Sequence, residues 1–153
     1  MTAGELTVVG LYTAPSAGEA MVPGAEVVVT KDRGIDGDRY SAGTGHWSDP
    51  QWPDQQLTLI DVETADALGI EPALLRRNVV TRGGRLADLI GCDVRIGSAV
   101  LRFVRPCDPC GYLETLLDRP GLRAALENRG GVRAAVIAGG TISVGDSLEA
   151  MTA

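Results

Sequence analysis

Apolar positions along this chain recur mostly at period two, in short runs closed by glycine-containing turns. Leu6 to Leu11 alternates weakly and ends at a polar turn from Tyr12 to Ser16. Ala25 to Thr30 is β-branched and predicts a strand, as does Leu57 to Ile60. Asp61 then stands as an N-cap with Thr64 in the first turn. Val62, Ala65, Leu68 and Ile70 mark one face of a short helix that ends near Gly69. Leu86 to Ile90 reads as a short apolar turn. A hairpin begins at Gly91 to Gly97, turns at Gly97-Ser98 and returns through Ala99 to Phe103. Leu113, Leu116 and Leu117 recur at helical spacing, and 118–128 is helical with a break at Pro120-Gly121. Arg133 to Ala138 is a strand, Gly139-Gly140 a turn, and Thr141 to Glu149 holds the last strand around a turn at Gly145-Asp146. Many short strands, few helices and no regular strand–helix alternation predict a mainly β protein, a closed β-barrel with a few short helices.

Composition narrows the class. With 153 residues the chain is expected to form one domain over 1–153, large enough to bury a core without disulfide staples. The start, Met1 to Leu6, lacks a basic segment followed by an apolar one, so no secretory signal is expected, and no apolar run approaches membrane-spanning length. Three cysteines, an odd number without a signal, suit reduced thiols and a cytoplasmic location. A net charge of −6 argues against a nucleic-acid partner. Neither a membrane nor a nucleic acid is an expected partner.

The candidate chemistry gathers where the hairpin's second strand delivers Cys107-Asp108-Pro109-Cys110 to the start of a helix. The exposed amides of a helix N-terminus favour negative charge and so stabilise a thiolate. Such a thiolate can be a nucleophile, a redox partner or a soft metal ligand, and two neighbouring cysteines do not choose among these. Cys92 alternates as a small apolar residue. His46, the single histidine, lies in an irregular stretch from Gly43 to Asp54 that reads as a flap, with Trp47 and Trp52 covering a core edge. Lys31 to Tyr40 is a turn-rich loop that does not match a calcium-loop spacing. Packing by Ile35 and Tyr40, with Arg39 held by a carboxylate, is the plainer reading, and Arg39 facing an anion the sharper one. Arg76, Arg77, Arg82 and Arg85 crowd one stretch of an acidic chain. Arg82 and Arg85 read as a solvated edge. If the stretch is a strand, Arg76 and Asn78 share a face, where a guanidinium and an amide either bind a phosphate or carboxylate or pair with surplus acids.

Taken in order, Gly34-Ile35-Asp36-Gly37-Asp38-Arg39-Tyr40, Arg76-Arg77-Asn78-Val79-Val80, Leu89-Ile90-Gly91, Ile96-Gly97, Pro109-Cys110 and Gly145-Asp146 resemble the MOSC domain. This domain occurs in molybdenum-cofactor sulfurases, in the mitochondrial amidoxime-reducing component and as stand-alone bacterial proteins. The resemblance implies a β-rich barrel that binds the molybdenum cofactor, a molybdopterin. It assigns Cys110 as the molybdenum ligand and Cys107 as an accessory thiol, with Asp108 and Pro109 supplying backbone contacts. Arg76 and Arg39 match the arginines that hold the cofactor's phosphate and pterin. Asn78 positions Arg76 and its loop. Ser16 falls where relatives carry a cofactor-contacting serine, and Pro15 stands where they carry a lysine.

By the same resemblance, the expected reaction is removal of oxygen from N-hydroxylated small molecules. Three cysteines cannot supply the four thiolates of a usual iron–sulfur cluster, so a separate reductase or ferredoxin-type donor is expected. Two other classes remain open. One is a sulfur-carrier or cofactor-handling module with a persulfide on Cys110 or Cys107. The other is a zinc or thiol–disulfide module drawing on Cys92, Cys107, Cys110 and His46.

Overall fold

The computed structural model describes residues 6–15, 19–38, 56–107, 121–125 and 129–151. Eleven strands appear among them: β1 (Thr7–Thr13), β2 (Val22–Gly24), β3 (Glu26–Thr30), β4 (Gly34–Ile35), β5 (Leu57–Asp61), β6 (Val79–Arg82), β7 (Asp93–Ile96), β8 (Ala99–Pro106), β9 (Val132–Ala138), β10 (Gly140–Ser143) and β11 (Leu148–Ala150). Two helices, α1 (Val62–Leu68) and α2 (Leu122–Ala125), and two 3-10 turns at Pro72–Leu75 and Leu86–Leu89 complete the described elements. Eight strands form one sheet in the order β11-β7-β8-β9-β5-β6-β1-β2, and β10-β3-β4 form a second.

The protein is mainly β, as expected, but the large sheet is a strongly curled open half-barrel rather than a closed barrel. The reason lies in how the last strands are shared out. Thr141 to Glu149 was expected to hold one strand and holds parts of two. β10 leaves the large sheet after Gly139 to pair with β3, and β11 returns to pair with β7. The edge strands of the large sheet, β11 and β2, are each three residues long and stand at opposite ends of the strand order. Thr7 and Ser147 meet in an isolated bridge, supported by Val8 N–H donating to the Asp146 carbonyl at 2.8 Å.

Burial follows the alternation. Val8, Leu11, Leu57, Leu59, Val79, Leu101, Phe103, Val132, Ala134 and Val136 share the larger core, inside the curl. The intervening positions of β5 and β6, Ile60 and Val80, join Ala65, Ile70, Leu75 and Leu122 in a smaller cluster on the other face. The uninterrupted run Leu57-Thr58-Leu59-Ile60 is buried on both faces because β5 pairs in parallel with β6 through the α1 crossover. This is one strand–helix–strand unit in an otherwise antiparallel sheet.

Local signals behave as their chemistry dictates. Asp61 Oδ2 accepts from Thr64 N at 2.9 Å and from Thr64 Oγ1 at 2.9 Å, and Gly69 closes α1 in the left-handed region at φ 65°. Tyr12 and Thr13, expected in a turn, instead extend β1 and pair with Pro23 and Val22. β8 runs on through Arg105 and Pro106, with a register shift between Phe103 and Arg105.

Candidate functional site

The arginine segment sits at the entrance to β6. Arg76 was expected on a strand beside Asn78; it instead caps the 3-10 turn Pro72–Leu75 in the left-handed region, at φ 60°. A non-glycine residue there costs about 1–2 kcal/mol, a strain that persists where the surroundings fix it and that often marks a working site. Arg76 is buried, and its Nη1 donates to the carbonyl of Glu19. Arg77 donates through Nε to the Gly130 carbonyl at 2.9 Å and through Nη1 to the Leu75 carbonyl at 3.1 Å.

Asn78, fully buried, ties three strands together. Its Oδ1 accepts from Thr58 N at 3.1 Å, its Nδ2 donates to the Tyr12 carbonyl at 3.1 Å, and its own amide donates to the Thr58 carbonyl at 3.0 Å. With its side-chain acceptor committed to β5 and a donor to β1, it fixes the Arg76–Arg77 turn against the sheet.

Cys107 directly follows β8 as a free thiol, 6% exposed, and its N–H donates to the Gly131 carbonyl at 2.8 Å. The arginine segment and the thiol corner are thus fastened to consecutive carbonyls, Gly130 and Gly131. A third connection comes from Asp38, fully buried, whose Oδ1 accepts from Ala14 N at 3.1 Å. Ala14 and Glu19 bracket Ser16, and Asp38 adjoins Arg39, so the described flanks of both positions are anchored to the body of the fold. Ser16, Arg39, Asp108, Pro109 and Cys110 themselves lie outside the described residues, as do His46, Trp47, Trp52 and the helical spacing of 113–117.

Register builds a polar row across the outer face of the sheet. Tyr12, Asn78 and Thr58 are joined by the bonds above; Thr58 is opposite Arg133, and Arg133 is opposite Arg105. Sequence reasoning passed over Arg133, Arg105 and Asp38. The signal for Arg133 was present: one charge inside Val132-Arg133-Ala134-Ala135-Val136, directly after Gly130-Gly131.

The buried Arg76 guanidinium and the Cys107 thiol, on segments that Arg77 and the Cys107 amide fasten to adjacent carbonyls, suit a group that is anionic at one end and carries a soft metal at the other. Cys92, by contrast, packs against the larger core, as a small apolar residue does. No three of His, Cys, Asp and Glu among the described residues are grouped to hold a metal ion. A groove lined by Leu11, Thr13, Val22, Glu26 and Val28 contains none of the expected site residues. The exposed Arg102 pairs with Asp93 at 2.8 Å; that hydrogen bond and charge raise the guanidinium's pKa above its ordinary value.

The sequence profile of the MOSC domain matches residues 51–149, a span that includes the arginine segment, Cys107, Cys110 and Arg133. The chain belongs to the MOSC domain family. This family is linked to the molybdenum cofactor. Among solved structures, the YuaD protein from Bacillus subtilis is similar at a TM-score of 0.76 and 21% identity, over 95% of each chain. YiiM from Escherichia coli is similar at 0.64 and 23%, over 98% of this chain and 70% of that one. YiiM from Geobacillus stearothermophilus gives 0.73 and 17%, over 96% and 75%. At such identities the likeness establishes the MOSC fold alone. No curated protein matches the chain. No described helix is long and apolar enough to cross a membrane.

Proposed function

We propose that this MOSC chain binds a molybdenum cofactor and reduces N-hydroxylated small molecules by removing oxygen. Electrons would come from a separate reductase or ferredoxin-type donor. The observation that supports the reading is the tie between the Arg76–Arg77 turn and the Cys107 corner through Gly130 and Gly131. It links the arginine segment to Cys107, which precedes Cys110 by three residues.

In this reading Arg76, with Arg39, holds the cofactor's phosphate and pterin, since a guanidinium fork matches phosphate oxygens bidentately. Cys110 supplies the thiolate that a soft metal prefers, with Cys107 beside it as an accessory thiol. Asn78 keeps the Arg76 turn from moving, Ser16 contacts the cofactor, and Asp108 and Pro109 offer backbone groups near the metal. When bound, the cofactor supplies two-electron redox chemistry. Overall, an N-hydroxylated substrate takes two electrons and two protons and leaves as the reduced amine-type product and water.

Turnover of a hydroxylamine-type substrate by metal-loaded protein with an artificial reductant tests the reaction. Measurable substrate-dependent oxidation of the reductant is expected, and none from loaded protein contradicts the reaction. A persulfide on Cys110 or Cys107 in protein devoid of pterin would identify a sulfur carrier instead.

A further inference from the structure

Arg133 is the buried charge to which the proposed chemistry gives no role. It is 9% exposed, and its Nε is buried with no hydrogen-bond partner. Among the described residues no carboxylate pairs with it. Thr58, opposite it on β5, has its hydroxyl and amide engaged with Asn78. Burying a charged group without a partner is costly, and native structures pair such groups with protein, water or ligand. A guanidinium held in this way suits an anion that comes from outside the chain.

Register places that guanidinium at the thiol corner. Val132 and Ala134 belong to the larger core, so Arg133 between them faces outward. Pro106 is opposite Val132, and the next residue, Cys107, bonds through its amide to the Gly131 carbonyl. Cys107 and Arg133 therefore share the outer face, one diagonal step apart on the β8–β9 ladder, a separation of about 7–8 Å that a long side chain spans. The Arg76 turn stands farther off, at the entrance to β6 with β5 between. Arg133 thus belongs to the thiol end of the proposed site rather than to its arginine end.

We infer that Arg133 takes a carboxylate of the substrate, so that the N-hydroxylated compounds handled at this corner are acids. The inference rests on the reductase reading above and adds the substrate class to it. One guanidinium matches one carboxylate in charge and in the spacing of its two oxygens, whereas a phosphate dianion calls for a second cation. The carboxylate takes no part in the electron transfer. It orients the N–O group at the corner, as a bidentate clamp orients a reacting group.

The test compares phenylhydroxylamine with para-carboxyphenylhydroxylamine as substrates of molybdenum-loaded wild type and Arg133→Met, with an artificial reductant. Calorimetric titration with the corresponding amines, aniline and para-aminobenzoate, reads binding without turnover. In wild type the acid is expected to show a kcat/KM at least about tenfold above that of the neutral compound, carried by KM, and Arg133→Met to lose this preference. Para-aminobenzoate is expected to bind wild type at least about tenfold more tightly than aniline, a difference that Arg133→Met also loses. Equal kcat/KM for the two substrates in wild type, or an undiminished acid preference in Arg133→Met, overturns the inference. No turnover of either compound by loaded protein contradicts the reductase reading, and the titration then decides the carboxylate contact by itself. Binding of para-aminobenzoate that Arg133→Met loses supports that contact, and absent or undiminished binding overturns it. If Arg133→Met does not fold, Arg133→Lys keeps the charge without the fork; a reduced acid preference in that variant supports the inference, and an unchanged one overturns it.

Discussion

Arg77 and Gly130, 53 residues apart in sequence, are joined by an Nε–H to carbonyl hydrogen bond of 2.9 Å. The next carbonyl, that of Gly131, takes the amide of Cys107. Two stretches that looked independent in sequence, an arginine-rich turn and a cysteine-bearing corner, are therefore held by one dipeptide. Movement of that dipeptide would shift both.

Gly131 should tolerate no side chain. Its φ is 91°, and a Cβ there would run into the Leu59 carbonyl. Gly131→Ala is expected to destabilise the protein by about 3 kcal/mol, combining left-handed strain with overpacking. Gly69→Ala, at φ 65° with open space around the added carbon, should cost only about 1 kcal/mol. Urea unfolding of the two variants checks the contrast; equal losses would mean that the close approach at Gly131 is unimportant.

Asn78→Ala removes the clamp between β1, β5 and β6. It leaves the Thr58 amide and the Tyr12 carbonyl short of partners in a buried setting, each costing about 1–3 kcal/mol. A loss of about 2–4 kcal/mol by chemical denaturation is expected. A loss below about 1 kcal/mol would show that the amide serves something other than the sheet.

Asp61→Ala tests the cap of α1, the helix that covers the smaller core. With both bonds to Thr64 gone, about 1 kcal/mol of stability should be lost, measurable as a lowered urea midpoint. An unchanged midpoint would mean that tertiary packing alone holds the helix.

Much of the strand content was legible because it rests on local chemistry. The β-branched run before Lys31, the Asp61–Thr64 cap, the Gly97-Ser98 turn and the alternation of Ala99 to Phe103 all signal through near neighbours. Barrel closure was not legible. It depends on whether β10 stays in the large sheet or crosses to β3, a long-range pairing that no periodicity encodes. The conformation of Arg76 was missed for a related reason. Its left-handed backbone is imposed by the 3-10 turn before it and by the reach to Glu19, 57 residues away. Asn78 stood out in the sequence beside Arg76, but its partners on β1 and β5 became visible only through topology. Arg133 shows a further limit: sequence displays the charge but not the lack of a partner.

The two thiols of the corner should behave differently. Cys107 is buried at the strand end and held by its amide, which suits a supporting part rather than direct ligation. Cys107→Ala is expected to retain most bound metal, and Cys110→Ala to lose it. Equal losses would overturn the division of roles.

The central claim is that the arginine turn and the cysteine corner together hold a molybdenum cofactor. Its most direct test is the molybdenum and pterin content of the wild-type protein purified from a cofactor-competent host, alongside Arg76→Met and Cys110→Ala. Near-stoichiometric molybdenum and pterin in wild type, with both reduced in each variant, is the predicted result. Wild-type protein that is folded yet free of molybdenum and pterin would contradict it.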